Sequence, residues 1–289
     1  MKLSTKALIA RILELPLVWA LLKNTIGHLA WLYRKLSQIH GKDMILEQED
    51  DDRIREIFAN NQVLNGPFAG MRYPEGFRSC GSAIYAKLLG SYESELHTVL
   101  HELFVKDYSL IVDVGCAEGY YAIGFAMRKP GAFIYAFDID RQAIALCQKM
   151  AEANGVAARV SFGAFCSPET LLTLDVNGKA LIISDCEGYE CTLFSNEVVQ
   201  ALANHDVIIE AHDYMKIEIT RLLRERFSST HRIREIESID DIVKAYSYEY
   251  PQVRDLPLRL RSKIVAEGRP AIMRWLVCES KLQVAGSSN

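Results

Sequence analysis

Several short stretches of this 289-residue chain carry groups suited to gripping and activating a ligand. The first is Asp113-Val114-Gly115-Cys116-Ala117-Glu118-Gly119-Tyr120, which closes an apolar run and opens a helical one. A strand that runs into a glycine turn and then a helix lets backbone N–H groups approach a ligand at the carboxyl edge of a sheet. A dinucleotide fingerprint needs glycine at 115, 117 and 120, but the residues there are Gly115, Ala117 and Tyr120. A pyrophosphate is poorly served by that turn; a smaller zwitterion is not. Asp138 closes the next apolar run, roughly 20 residues on, where an acceptor-only carboxylate can take two hydrogen bonds from ribose hydroxyls. Ile139 offers a face to adenine, and Ala164 and Phe165, after the third run, border the same base, although Phe165 reads equally well as core.

A second set of groups follows the fourth and fifth apolar runs. Asp185-Cys186-Glu187-Gly188-Tyr189-Glu190 comes after the fourth, and Glu210-Ala211-His212-Asp213 closes the fifth. His212 is the candidate base, because a free imidazole titrates near neutrality. Asp185 either orients that imidazole or holds an acceptor. The plainer reading of His212 is a hydrogen-bonded loop residue, and of Glu187, Glu190 and Glu210 acceptors for loop N–H groups. A rival route places Mg²⁺ between Asp185 and Asp213, since hard oxygen ligands on neighbouring strand ends suit that ion. No dedicated metal motif accompanies it: the seven cysteines make no CxxC pair and no zinc spacing. They read as packed, reduced thiols.

The elements that must position these groups follow from hydrophobic periodicity. Strands are expected at 110–114, 133–137, 159–163, 180–184, 207–210, 232–238 and 273–278. Helices are expected at 120–128 and 141–153, with Asp140 as N-cap and Asn154-Gly155 as terminator. Strands apolar on both faces and separated by helices imply a parallel sheet covered on both sides. The expected fold is therefore α/β: a Rossmann-like, seven-stranded, mostly parallel sheet with helices on both faces, plus an N-terminal helical extension. Turn residues from Asn65 to Gly81 suggest a boundary between an extension, 1–80, and a catalytic domain, 81–289. Pocket walls are expected from the extension and from the 240–270 insertion.

The pattern Asp113-x-Gly115-x-x-x-Gly119 resembles motif I of class I S-adenosylmethionine-dependent methyltransferases. That resemblance implies that Gly115 and Gly119 flank the methionine moiety, that Asp113 lies beneath it, and that Cys116 and Tyr120 belong to the same cofactor turn. The run Asp185-x-Glu187-Gly188-x-Glu190 resembles the signature of FkbM-type methyltransferases, as do Leu89-Gly90-Ser91-Tyr92-Glu93 and Ile208-Ile209-Glu210-Ala211-His212. The likeness spans roughly residues 85 to 215; Cys116-Ala117-Glu118 and Asp138-Ile139 depart from it. It implies methyl transfer to a hydroxyl of a small molecule, a sugar or glycosylated metabolite. Alternatives are a protein or RNA acceptor, or a non-catalytic subunit that keeps the fold for binding.

The remaining composition sets limits on partners. A net charge of −4 supplies no basic field to gather nucleic acid, and none is expected as partner. The first 36 residues carry Lys2, Lys6, Arg11, Lys23, Arg34 and Lys35 against Glu14, with Pro16 breaking the apolar run. They are too interrupted to span a membrane. They read as amphipathic helices that pack on the protein or a second copy, or that lie on an anionic membrane surface. A cytoplasmic protein, with peripheral membrane contact as the variant, is the expectation.

Overall fold

A computed structural model describes residues 25, 27–34, 36, 42–74 and 83–282. Most of the basic amphipathic start therefore lies outside the described residues. The chain divides into two compact units, 1–57 and 58–289. In the first, residues 27–34 and Lys42–Ile57 are helical, and Leu29, Trp31, Leu32 and Tyr33 are exposed. No helix among the described residues is long and apolar enough to cross a membrane.

The second unit is built on a seven-stranded sheet of order β3-β2-β1-β4-β5-β7-β6. Its strands are β1 Leu110–Val114, β2 Phe133–Phe137, β3 Val160–Gly163, β4 Ala180–Ser184, β5 Asp206–Ala211, β6 His231–Glu237 and β7 Arg274–Ser280. The first five pair in parallel, and β7 runs antiparallel between β5 and β6. Strand order reverses between β1 and β4, and such a switch point opens a crevice at the carboxyl ends of the strands. β1, β2 and β4 have the expected bounds. β3 starts one residue later than expected because a 3₁₀ turn takes Ala157–Arg159. β5, β6 and β7 are shifted by one or two residues at their ends.

Alternation along the strands divides the core into two layers. Leu110, Val112 and Val114 face one cluster with Ile182, Val207, Ile209, Phe194, Leu223 and Phe227. The opposite face carries Asp113, whose carboxylate accepts a bond from Ala122 N–H on the helix Tyr120–Arg128 (2.8 Å). Asp140 caps the helix Arg141–Ala153 by accepting from Gln142 N–H.

The compact units divide at Ile57, whereas the expected boundary lay at 80/81. Phe68, from the turn-rich stretch, is 1% exposed and packs against Phe104, Tyr120, Tyr121 and Phe125. Its ring lies directly over Gly124, where a Cβ would come within 2.5 Å of it. Glycine and proline punctuate this stretch as turns, but a buried aromatic ring, not the turns, decides which core owns it. Truncating a buried phenylalanine costs about 3–5 kcal/mol. Phe68→Ala is expected to lower the unfolding free energy by that much, read from urea denaturation of the whole chain. A loss under about 1 kcal/mol would return the stretch to the extension.

At the far edge, Asp206 anchors the start of β5. Its buried carboxylate accepts from Lys179 (2.7 Å), Lys106 (3.0 Å), Tyr108 OH (2.6 Å) and Ser280 N–H (3.0 Å). Burial would raise its pKa, but Lys179, Tyr108, Ser280 and Lys106 outweigh that and hold it below the usual value. A depressed folded pKa gives stability that is present above the unfolded pKa, about 3.9, and lost as pH falls through the folded one. Asp206→Asn is expected to cost about 3 kcal/mol at pH 7 and to flatten the loss of stability below about pH 4. Unfolding midpoints measured from pH 7 to pH 2 check both; an unchanged acid limb would contradict the assignment.

Candidate active site

The carboxyl ends of β1, β2, β4 and β5 open into one cavity of about 610 Å³. That volume lies in the range of small-molecule and cofactor sites, about 300–1,000 Å³. Its first wall is the turn after β1. Gly115, Ala117 and Gly119 all adopt positive φ (84°, 46° and 95°), a region that costs an L-residue energy and glycine little. A Cβ on Gly115 would stand 1.7 Å from the carbonyl oxygen of Asp185, so only glycine lets the β1 turn meet the end of β4. Ala117 N–H donates to Asp138 Oδ2 (2.8 Å), which ties the turn to the end of β2. The other oxygen, Oδ1, accepts from Asp140 N–H (2.8 Å). A carboxylate has about four lone-pair sites, so Asp138 retains acceptor capacity toward the cavity it lines.

Five expected cofactor residues line this cavity: Gly115, Asp138, Ile139, Ala164 and Phe165. Ile139 and Phe165 are 79% and 54% exposed, so they form apolar walls rather than core. Four others stand behind the surface. Asp113 is turned to the opposite face, where burial pushes its carboxyl up to about 8. Cys116 is buried beside Cys147, Gly119 packs against Cys147 Sγ, and Tyr120 belongs to the Phe68 cluster. These four shape the turn from below and are not among the residues that line the cavity, with Asp113 beneath the turn as expected.

On the acceptor side, Asp185 and His212 do come together. His212 Nε2 lies 3.3 Å from Asp185 Oδ1 and 3.4 Å from Glu187 Oε2, and its Nδ1 is bound by the buried Glu190. Glu190 also accepts from Gly188 N–H (3.0 Å), so one carboxylate fixes both the ring and the loop after β4. Glu187 holds a left-handed conformation, φ 50°, and its side chain is 70% exposed on the cavity side. Burial would lower the pKa of His212, but Asp185 and Glu190 outweigh it and push it up to about 10. That corrects the expectation of a base poised near neutrality: in this arrangement the ring keeps its proton. Asp213 is not a partner of Asp185. It accepts from Thr220 N–H (2.9 Å) and Thr220 Oγ1 (2.5 Å) at the start of the helix Ile219–Phe227, so the expected Asp185/Asp213 magnesium pair does not form.

The third wall was not read from the sequence. Arg269 reaches Glu93 (2.6 Å), Glu267 (3.0 Å) and Glu210, and Lys244 supports Glu267 (2.5 Å). This buried network pins the loop Glu267–Pro270 over the cavity, so the insertion supplies a wall as expected. Among the described residues none before Ala83 lines the cavity. Lys87 also faces in, paired with buried Glu118 (2.5 Å). These partners lie far apart in the chain, and no local signal marks an ion pair between them.

Residues 96–176 match the family described as the methyltransferase small domain. That segment holds the β1 turn, β2, β3 and the helices between them. A release factor glutamine methyltransferase from Chlorobaculum tepidum is 39% identical over 56 residues, 19% of either chain. The chain thus matches about a fifth of that relative's length. Among solved structures, a putative O-methyltransferase from Klebsiella pneumoniae superposes with a TM-score of 0.45 at 11% identity, covering 79% of this chain and 90% of its own. The O-methyltransferase TomG of Streptomyces achromogenes, involved in tomaymycin synthesis and solved with S-adenosylmethionine, gives 0.42 at 12% identity, covering 66% and 82%.

Removing the Asp138 carboxylate takes away an acceptor that faces the cavity. Asp138→Ala is expected to weaken binding of S-adenosylhomocysteine at least tenfold in calorimetry while far-ultraviolet circular dichroism stays unchanged. Unaltered affinity would remove the ribose assignment.

Proposed function

We propose that this chain, a class I S-adenosylmethionine-dependent methyltransferase, moves a methyl group to a hydroxyl of a small-molecule acceptor, a sugar or glycosylated metabolite. The family match over 96–176 and the sheet order support the methyltransferase reading. The hydroxyl reading rests on one observation: a single cavity carries nucleoside-binding groups on one side and Asp185, Glu187 and His212 on the other. After β4 the chain reads Asp185-Cys186-Glu187-Gly188, not the Pro-Pro-aromatic loop used to hold an amino nitrogen. The FkbM-type resemblance of that run is what suggests a carbohydrate.

When bound, S-adenosylmethionine supplies a methyl already activated by its sulfonium. The chain's own task is alignment and removal of one proton. Asp138 would take the ribose hydroxyls, and Ile139 and Phe165, which line the same cavity, would lie against the base. Asp185 lines the cavity beside His212, and its carboxylate accepts the acceptor's hydroxyl. With donor and acceptor so aligned, Asp185 would take the hydroxyl's proton as the methyl is transferred, while His212 holds that carboxylate in place. Such alignment is worth on the order of 7 kcal/mol in favourable cases.

The acidic rim bears on the alternatives. Asp185, Glu187, Glu210 and Glu267 all line the cavity, which disfavours a polyanion such as RNA. A carved cavity with a glycine turn and a facing acid favours an enzyme over a binding subunit that only keeps the fold.

A mass-spectrometric screen with isotope-labelled donor tests this, offering glycosides, other hydroxylated metabolites, peptides and RNA to the full chain. Label is expected on a hydroxyl of a small molecule, and Asp185→Asn is expected to lower kcat about 10²- to 10⁴-fold with donor affinity retained. Label confined to peptide or RNA, or none at all, would overturn the reading.

A further inference from the structure

The geometry points to a site for one first-row divalent transition-metal ion, such as Mn²⁺ or Zn²⁺, held by Asp185, Glu187 and His212. One ligand atom from each lies within 4.8 Å of the others. The His212 nitrogen stands 3.3 Å and 3.4 Å from the two carboxylate oxygens. Ligands bound at about 2.0–2.2 Å around a tetrahedral or octahedral ion sit roughly 3.0–3.5 Å from one another. Those two separations are therefore already the ones an ion requires.

Two independent features aim this trio at a cation. The first is the ring's other nitrogen. Nδ1 is bound by Glu190, whose side chain is 0% exposed, and a carboxylate behind a histidine is the usual way to fix its tautomer and present Nε2 to a metal. The second is Asp185 Oδ1, which is shut off from solvent and, once Nε2 gives up its proton to bind an ion, is left without a hydrogen-bond donor. A buried acceptor without a donor is costly, and an ion would satisfy it. One imidazole nitrogen with two carboxylate oxygens suits a borderline ion better than Mg²⁺ or Ca²⁺, which favour oxygen alone. The three ligands come from one side, leaving coordination positions toward the cavity, where Tyr214 and Met273 are part of the lining.

Resting on the methyl-transfer reading above, the ion would bind the acceptor oxygen and ease passage of its proton to the second carboxylate oxygen of Asp185, Oδ1 being the ligand. Lone-pair donation from Nε2 then replaces the proton the ring carries in the unbound arrangement. No atom is oxidised or reduced.

The test is a titration of the full chain with Mn²⁺, following loss of the free-ion signal by electron paramagnetic resonance. One saturable ion per chain is expected. His212→Gln and Glu187→Gln should weaken it at least tenfold, and Glu190→Gln, which touches the ring only from behind, by about 10–100-fold. Asp213→Asn, at the helix start, should leave it unchanged. Thermal unfolding of each variant identifies any that fails to fold, and Glu187, the exposed ligand, is the variant least exposed to that problem. No saturable ion, or equal affinity in wild type and Glu187→Gln, would overturn the site. Donor binding is measured on the same samples by calorimetry. Donor bound without metal sinks the metal site alone; metal bound without donor keeps the site and sinks the methyl-transfer reading.

Discussion

The backbone of the β1 turn lies against the backbone at the end of β4, with Gly115 at the contact point. A single added carbon would stand 1.7 Å from the Asp185 oxygen, so this approach admits no side chain. Everything on either side of the cavity depends on it. From Gly115 the turn runs through Ala117, whose N–H grips Asp138 at the end of β2. From Asp185 the chain runs to Glu187 and to Glu190, which orients His212 at the end of β5. Four parallel strand ends are thus tied by backbone packing and two short bonds. On the proposed reading, the nucleoside side and the acceptor side are thereby set at a fixed distance before any ligand arrives, as alignment catalysis requires.

Charge supplies the second constraint. Arg269 sits among Glu93, Glu210 and Glu267, and Lys244 backs Glu267. Burial, Asp185 and Glu93 push Glu210 up, and Arg269 opposes them. Removing one member of such a buried network leaves its partners uncompensated, at about 3–5 kcal/mol. The network therefore holds the loop before β7 as a rigid wall. The same excess of carboxylates gives the cavity an acidic rim, compatible with a sulfonium donor and with a cation at His212.

Much of this was legible from residue order. β1, β2 and β4 kept their expected bounds; β1 and β4 are buried along their whole length, with no alternation to confuse the reading, whereas β2 alternates between buried and more exposed residues. Asp140 was legible as a cap because capping is a local bond. Asp138, Ile139, Ala164 and Phe165 were legible because they end strands at the ligand edge. What escaped was set by direction or by distance along the chain. Asp113 lies one strand pleat away from Val114, so it points at Ala122 and not at the cavity. Asp213 looked like a second metal ligand until its position at the head of a helix gave it Thr220 instead. Phe68 joined the catalytic core across turns that read as a boundary, and Arg269 found three partners that only the folded chain brings together. The pKa of His212 could not be read at all without Asp185 and Glu190 in place.

The central claim is that the β1 turn and Asp138 hold one nucleoside whose sulfur faces Asp185 and His212. A crystal structure of the full chain with S-adenosylhomocysteine tests it most directly. The account predicts both ribose hydroxyls on Asp138, the base between Ile139 and Phe165, and the thioether sulfur opening toward Asp185. A nucleoside bound elsewhere, or a cavity that stays empty at saturating ligand, would contradict it.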